Sequence, residues 1–362
     1  MQKDMHYHGV YVLARAAGIE RESAQIIATA SQFVDDAVTE EPPCAFTDGS
    51  KIFSVVTAHH ALSIENINKD DQRMVWVPFH FLPGAEGESF TEKLICKKNS
   101  KTAKQMVTHT LSKAKINYAR ELVGITAHVL ADTFSHYGFS GVSSRWNRVI
   151  NDRINVSVTD EETKNYIEGK AKNFFEKYKS GIYENIRTAI SFGIEQLSGA
   201  LGHGAVATYP DRPYLKWNFI YERTGKVSRR DNQETFLEAC RKLFSFFKNF
   251  ATERPEYRDK KINLEFEDIK GALTDILAFE GKLDDRCRRW NKAVRDNSIY
   301  VSSEQGIPQY SGQKWIQKKV RLNGKKHADL NDIAIYRYFK AADHFRFFIL
   351  RDLLSNYNMY VI

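Results

Sequence analysis

The chain has 362 residues, of which 42% are hydrophobic and 27% are charged, and its formal net charge is +8. This composition is that of an ordinary soluble globular protein. The sequence contains no run of about 18 apolar residues, which is the length needed to span a membrane. The N-terminal stretch lacks the apolar core of a signal peptide, and the four scattered cysteines form no CxxC pair. We therefore expect a cytoplasmic protein without a disulfide framework. Its basic charge favours anionic partners such as nucleic acid, nucleotides or phospholipid head groups.

Helical periodicity dominates the first 140 residues. The predicted helices are Val10–Ala17, Glu22–Val38, Thr102–Asn117 and Ala119–His136. Two runs are instead rich in β-formers, Lys51–Thr57 and Met74–Leu82. Pro78 argues against a central strand in the second run, because proline cannot donate to a sheet. Few strands, all short, are therefore expected here.

The rest of the chain is also predicted to be helical, with two irregular stretches at His203–Trp217 and Asn297–Gly312. The predicted helices are Asp160–Leu201 (broken near Gly181), Glu234–Phe250, Leu264–Phe279, Asp284–Val294 and Asn331–Tyr357. We find no repeat and no convincing linker, so we predict one mostly α-helical domain over residues 1–362, with long loops and few short strands. A softer boundary near residue 225 is the alternative, and residues 225–362 give no functional signal beyond aromatic helices.

The stretch Gly124–Gly141, GITAHVLADTFSHYGFSG, contains the most informative spacing in the chain. His128, Asp132 and His136 follow one another at intervals of four, so on a helix their side chains share one face. Imidazole and carboxylate groups on one stripe are the ligands that zinc and similar divalent metals bind. The alternative is an ordinary helix whose polar face carries two histidines.

Histidines are concentrated near the start of the chain, which supports the metal-site interpretation. Eight of the eleven lie before residue 141. They are His6, His8, His59, His60, His80, His109, His128 and His136. Catalytic metals need several imidazoles and carboxylates from different elements, with one position open to water. His6, Asp35 or Asp36, His59, His128, Asp132 and His136 would suffice for two or three ions.

Each further candidate has an alternative interpretation. For His6 the alternative is a frayed terminal residue. Asp35 and Asp36 end a predicted helix, where the dipole favours cations, so the pair indicates a site more than a solvated helix end. One of His59 and His60 is the expected ligand, and we take His59. His80 alternates with apolar neighbours and fits a metal ligand and a hydrogen-bonded core histidine equally well.

A second conspicuous stretch is the loop that contains Gly202–Gly204 (GHG) and Pro210–Trp217 (PDRPYLKW). Its glycines permit a close backbone approach, and Asp211 and Arg212 are suited to orient a ligand or a metal-bound histidine. A rigid connection between helices is the alternative. The phosphate-loop pattern, the GxSxG elbow and an adjacent His-Asp pair are all absent from the sequence, which argues against NTPases, serine hydrolases and HD phosphohydrolases.

The order of a near-terminal histidine, an aspartate at the end of an early helix, a histidine, and then a helix with HxxxD and a later histidine resembles zinc-dependent phospholipase C, whose all-α scaffold the fungal-type single-strand nucleases share. Five motifs in order also resemble a little-characterised bacterial family associated with that superfamily. They are DMHYHGVYVLARAAG, SQFVDDA, TAHHALS, VPFHFLPG and GITAHVLADTFSHYGFSG, and with the later loop they span residues 4–217. The resemblance implies a multi-helix bundle in which His6, Asp35 or Asp36, His59, His128, Asp132 and His136 bind metal. In those enzymes three zinc ions activate water and neutralise the phosphodiester.

The sequence departs from that superfamily at three places. Its members use the amine of an N-terminal tryptophan as a ligand, whereas here Met1–Asp4 precede His6, so we expect no amine at the site. His136 follows Asp132 by only four residues. No downstream histidine–acid helix pair is evident, since His203 and Asp211 are separated by eight residues and Pro210. We therefore expect one or two ions, zinc or another divalent metal.

The function that we predict is hydrolysis of a phosphodiester by metal-activated water, on an anionic substrate that is a nucleic acid, a nucleotide or a phospholipid. Asp36 or His203 would serve as general acid or base. The alternative function is a metal-stabilised module that binds nucleic acid or protein without catalysis. A closed four-coordinate site would favour that alternative, because catalysis requires an open position. The oligomeric state is not predicted.

Overall fold

The computed structural model describes residues 1–38, 42–59, 70, 72–173, 176, 201–299, 301, 306–326 and 330–361. The predicted mostly α-helical fold with few short strands is confirmed. The α-helices are α1 (Val10–Ala16), α2 (Arg21–Asp36), α3 (Val77–Phe79), α4 (Phe90–Lys93), α5 (Lys101–Ser112), α6 (Ala119–Ser135), α7 (161–173), α8 (Asn232–Glu253), α9 (Phe266–Ala278), α10 (Leu283–Arg295), α11 (Gly312–Leu322) and α12 (Ala334–Phe347).

Shorter helical segments extend or connect these helices. Three are wound as π-helix: Asp4–Gly9 before α1, Gln72–Trp76 before α3 and Phe348–Leu353 after α12. The 3-10 turns are Arg145–Asn147, Asn151–Arg153, Gly204–Val206, Tyr209–Asp211, Pro255–Tyr257, Leu330–Asp332 and Ser355–Tyr357. Two of these turns shape the loop predicted at His203–Trp217.

Two small antiparallel sheets complete the described structure. The first pairs β1 (Cys44–Ala45) with β2 (Lys51–Ile52). The second has the order β3 (Asn155–Ser157), β4 (Lys216–Ile220) and β5 (Val227–Asp231), and Trp217 of β4 lies opposite Val156 and Arg230. This three-stranded sheet was not predicted. Its strands are only three to five residues long, so even the alternating burial of β4 is a short signal.

The structure refines the two β-former-rich runs and adds a helix that was not predicted. The β-prone run Lys51–Thr57 forms a strand only at Lys51–Ile52. The β-former-rich run Met74–Leu82 forms no strand, and Pro78, which argued against one, lies in the first turn of α3, where its missing N–H is not needed. Helix α11 was missed. Of the predicted helix Asp160–Leu201, the structure describes residues 161–173 and 176, so the break near Gly181 lies outside the described residues.

The helix α6 is buried along nearly its whole length, and α2 packs closely against it. Gly124 permits this close packing. A Cβ on Gly124 would lie 2.4 Å from the carbonyl oxygen of Ile27 and 2.7 Å from the Cβ of Ala30. The tight contact brings Ser31 alongside His128, and one turn later it brings the acidic end of α2 towards the polar face of α6.

Two hydrophobic clusters meet beside this helix pair. The larger one joins the helices, and the smaller one contains Phe139, Trp217 and Phe219 under the three-stranded sheet. Phe79 belongs to the larger cluster and Phe81 to the smaller. The residue between them in the chain is His80, whose ring centre lies 4.9 Å from that of Trp76.

Candidate metal centre

Histidine and aspartate side chains from five parts of the chain converge on the polar face of α6. Within each of three groups, the possible ligand atoms lie within 4.8 Å of one another. The groups are His6, Asp35 and His128; His80, His128 and Asp132; and His136, His203 and Asp211. We call these eight residues the His–Asp cluster. It contains most of the residues that the sequence singled out.

Asp132 lies at the centre of the His–Asp cluster and is 1% exposed. Its Oδ1 is 3.1 Å from His6 Nε2, and its Oδ2 is 3.2 Å from His128 Nε2, 3.4 Å from His80 Nδ1 and 3.5 Å from His136 Nδ1. Burial alone would raise the pKa of this carboxyl. Interactions with His136, the Met1 amine, His128 and His6 outweigh burial and hold the pKa well below its usual range, so Asp132 is a carboxylate.

Asp35 reaches the same place from the last turn of α2. Its Oδ1 is 3.8 Å from His128 Nε2 and 4.0 Å from His80 Nδ1. Partial burial and the negative charge of Asp132 raise the pKa of Asp35 well above its usual range. Asp35 and Asp132 therefore lie in one small space, where two carboxylate charges would repel each other.

The hydrogen bonds of His128 and His80 define which ring nitrogens carry protons. His128 Nδ1 lies 2.8 Å from the carbonyl oxygen of Ser31, and His80 Nε2 lies 2.9 Å from that of Thr57. A carbonyl only accepts, so both of these ring nitrogens donate. In the neutral imidazoles the opposite nitrogens, which face Asp132, therefore carry lone pairs. Metal-bound histidines are typically oriented in this way by a backbone carbonyl.

The same arrangement recurs around Asp211. His136 Nδ1 lies 2.9 Å from the carbonyl oxygen of His80, and His203 Nδ1 lies 2.7 Å from that of Ala207. Both contacts require an N–H donor on the histidine. The remaining Nε2 atoms lie 3.3 Å and 3.6 Å from the two carboxylate oxygens of Asp211. Four histidines thus direct a lone pair at an aspartate.

A lone pair and a carboxylate repel each other unless a proton or another cation lies between them. Burial lowers the pKa of both His128 and His203 to about 4, so these imidazoles are neutral near pH 7. Asp132 Oδ2 and His6 Nδ1 are also buried without a hydrogen-bond partner. Imidazole nitrogens with carboxylate oxygens are a donor set suited to zinc or another divalent metal. The residues therefore fit a metal ion.

The amino group of Met1, the first residue of this sequence, also lies in the His–Asp cluster. It is 2.6 Å from Asp132 Oδ1 and 3.2 Å from Asp211 Oδ1. The expectation that no terminal amine would reach the site was wrong. The carbonyl oxygen of Gln2 accepts hydrogen bonds from the amides of Met5 and His6, which winds the first residues onto the helix. Burial opposes the charge of the amine, but the aspartates raise its pKa to about 11.

Two predicted residues are in none of the three donor groups. Asp36 Oδ2 accepts a hydrogen bond of 2.5 Å from the hydroxyl of Tyr310, and its Oδ1 accepts one of 3.2 Å from Gln32. His59 is half-buried, and its metal-binding role stays a prediction, as does the catalytic role of Asp36. His60, its alternative, lies outside the described residues.

Asp211 is the main addition to the predicted ligands, since the sequence had suggested only an orienting role. The 3-10 turns Gly204–Val206 and Tyr209–Asp211 fold the loop back, so that eight residues of separation become 3.6 Å between His203 and Asp211. This is the downstream histidine–acid pair whose apparent absence had led us to expect fewer ions. The GHG and PDRP motifs were its only signal.

Solvent reaches the His–Asp cluster at two of its members. The side chain of Asp35 is 31% exposed and that of His203 is 18% exposed, whereas His128 and Asp132 are almost completely buried. The cluster therefore has a buried interior and an accessible edge. An edge of this kind is where water or a ligand could complete the coordination of a metal ion.

The fold and the site together define a mostly α-helical protein with a buried His–Asp cluster that could hold a metal ion. The chain belongs to DUF6765, a family of unknown function whose model matches residues 1–353. No curated protein and no solved structure matches the chain. Among the described residues, none of the helices combines the length and the apolar character that crossing a membrane requires.

Proposed function

We propose that this protein is a metal-dependent hydrolase that cleaves a phosphodiester. The observation that carries the proposal is the orientation of four histidines, His80, His128, His136 and His203. Each donates one ring N–H to a backbone carbonyl and turns its other nitrogen to Asp132 or Asp211. The ordered motifs that resemble zinc-dependent phospholipase C and single-strand nucleases support the same conclusion.

The His–Asp cluster would hold the metal, with zinc as the best match to its nitrogen and oxygen donors. A bound divalent cation supplies Lewis acidity, which lowers the pKa of water towards about 7 and neutralises phosphoryl charge. The carbonyl oxygens of Ser31 and Thr57 keep His128 and His80 in the tautomer that can donate a lone pair. The anionic phosphate of the substrate would approach the accessible edge at Asp35 and His203.

The three donor groups are compatible with more than one ion. Paired ions can clamp the attacking and leaving oxygens of a phosphodiester, which a single ion cannot do. Two residues were predicted to act as general acid or base. Of these, His203 lies in the His–Asp cluster, at its accessible edge. Asp36 would act only through its hydrogen bond with Tyr310.

A second function is favoured by one observation, the complete burial of His6, His128 and Asp132. A metal in that interior could be structural and hold together the segment Asp4–Gly9, α2 and α6 without catalysis. The protein would then be a module that binds nucleic acid or another protein. Salt would weaken nucleic-acid binding steeply in that case, and loss of a metal ligand would act through stability alone.

The deciding experiment joins elemental analysis of the purified protein to a phosphodiesterase assay. The substrates are bis(4-nitrophenyl) phosphate, single-stranded DNA and phosphatidylcholine vesicles. We expect bound zinc or another divalent metal in the wild type, turnover of at least one substrate, and loss of both in Asp132→Asn. Asp36→Asn is the matched control and should retain its metal.

Each failure has a distinct meaning. A wild type without transition metal contradicts both functions. Bound metal without turnover of any of the three substrates favours the structural module. Turnover that is unchanged in Asp132→Asn would move the site elsewhere.

We also propose a cytoplasmic location, supported by four free cysteines, Cys44, Cys96, Cys240 and Cys287.

A further inference from the structure

Arg212 is a buried cation without an acidic partner in the described part of the chain. It directly follows Asp211 and is 3% exposed. Its Nη2 donates to the hydroxyl of Thr208 at 3.1 Å, and its guanidinium carbon lies 5.4 Å from the centre of the Tyr166 ring. Its Nε is buried and has no hydrogen-bond partner. Neither contact neutralises the charge.

Tyr214, two residues further on, has the same deficit. It is 5% exposed, and its hydroxyl has no hydrogen-bond partner. Burial raises the pKa of this phenol, so near pH 7 the hydroxyl is a proton donor. Arg212 lies close enough to donate a hydrogen bond to the phenol oxygen, and Arg212, Arg286 and Asp4 all act on the phenol electrostatically. The phenol proton itself has no acceptor. Two buried donors thus lie in one region without an acceptor.

The neighbouring arginine shows what a compensated buried cation looks like in this protein. Arg286 is also buried, but its Nε donates to Asp4 Oδ2 at 2.6 Å and its Nη1 donates to the carbonyl oxygen of Gly281 at 3.0 Å. Arg212 has no such carboxylate. Burying an unpaired guanidinium is strongly unfavourable, whereas an apolar side chain of similar size is tolerated there. The region around Arg212 therefore lacks one negative charge.

We propose that Arg212 and Tyr214 bind a small oxyanion, and that its best match is a phosphate group. A guanidinium presents parallel N–H donors that fit two phosphate oxygens, and a phenol hydroxyl can donate to a third. Two lysines lie in the same region, and so does the carboxylate of Asp4, which is paired with Arg286. Lys170 and Lys282 each place their Nζ 5.7 Å from the centre of the Tyr166 ring, although Lys282 is paired with Glu162.

The oxyanion site is separate from the His–Asp cluster but shares a loop with it. The turn Tyr209–Asp211 presents Asp211 to the metal donors, and Arg212 is the next residue. Binding of phosphate would therefore stiffen the loop that positions His203 and Asp211. The inference does not depend on the proposed hydrolase activity, because its evidence is the uncompensated charge of Arg212.

The test measures the affinity of the purified, metal-containing protein for inorganic phosphate by calorimetry and by thermal shift. Arg212→Met should lower the phosphate affinity by about 10-fold or more, as expected for loss of a charged hydrogen bond. Arg223→Met is the matched control, since Arg223 is an exposed arginine that lies 3.9 Å from the Trp146 ring centre. It should bind phosphate like the wild type.

A second readout uses the free protein. Without phosphate, Arg212→Met should melt no lower than the wild type, because it removes an uncompensated buried charge. Tyr214→Phe should weaken phosphate binding by a smaller factor. If Arg212→Met does not fold, the phosphate affinity of Tyr214→Phe tests the proposal instead. Acetate in place of phosphate distinguishes a general carboxylate site, which would contradict the phosphate assignment if it binds equally well. Equal phosphate affinity of the wild type, Arg212→Met and Tyr214→Phe would overturn the proposal and place phosphate at the metal donors.

Discussion

The His–Asp cluster is held in two different ways. We call His6, Asp35, His128 and Asp132 the helical half, because they lie on the π-helical segment Asp4–Gly9, on α2 and on α6. We call His203 and Asp211 the loop half, because His203 directly precedes one short 3-10 turn and Asp211 ends another. His80 and His136 are assigned to neither half. The helical half is fixed by packing across buried helices, while the loop half depends on individual backbone hydrogen bonds. Similar donors are therefore supported with very different rigidity.

The contacts of the loop half show this dependence. The amide of Gly202 donates to the carbonyl oxygen of Ser140 at 3.1 Å, and a Cβ on Gly202 would lie 2.3 Å from the Phe81 ring. His203 is oriented by the carbonyl oxygen of Ala207. Ala207 itself has φ 49° and ψ −133°, a region that non-glycine residues rarely adopt. The loop half therefore contains backbone strain at Ala207, and we expect it to hold metal more weakly.

The largest expected effect comes from removing one histidine in each half. His128→Asn should lower metal affinity by more than about 100-fold, since even outer-shell changes at metal sites cost about 10- to 100-fold. His203→Asn should release only the metal held with His136 and Asp211. The measurement is metal content after dialysis against a graded chelator. Equal metal loss in the two variants would show that the halves form one coupled site.

A smaller effect is expected from changing the packing beneath the helical half. Gly124→Ala should destabilise the protein by about 2 kcal/mol, because the added Cβ would press on the backbone of α2 at Ile27 and on Ala30. Urea denaturation measures this change. Gly271→Ala in α9 is the matched control. Its Cβ would meet nothing within 4 Å, so it should stabilise the protein by up to about 1 kcal/mol. Equal effects of the two variants would mean that close packing does not support the helical half.

The difference between the helical half and the loop half also explains which site residues could be predicted from the sequence. His128, Asp132 and His136 were found because helical periodicity fixes which side chains share a face. The two acids at the end of α2 were found because they oppose the helix dipole. No such period relates His203 to Asp211, whose proximity depends on two 3-10 turns. The amine of Met1 was missed because sequence spacing does not show where the first residues wind.

The smallest expected effect comes from relieving the backbone strain at Ala207, whose carbonyl oxygen orients His203 in the loop half. Ala207→Gly should stabilise the protein by about 1 kcal/mol, because strain of about 1–3 kcal/mol at the positive φ outweighs the added freedom of glycine in the unfolded chain. The control Ala205→Gly, at a residue without positive φ, should instead destabilise by about 0.5–1 kcal/mol. Denaturation and metal retention are measured together on both variants.

The pair of readouts distinguishes two origins of the strain. If the backbone of Ala207 is strained in order to orient His203, then Ala207→Gly gains stability while the loop half loses metal more readily, because a freer carbonyl holds the imidazole less firmly. A gain in stability with unchanged metal retention would mean that the turn is strained for its own packing. In that case the strain at Ala207 would not be the reason for weaker metal binding by the loop half.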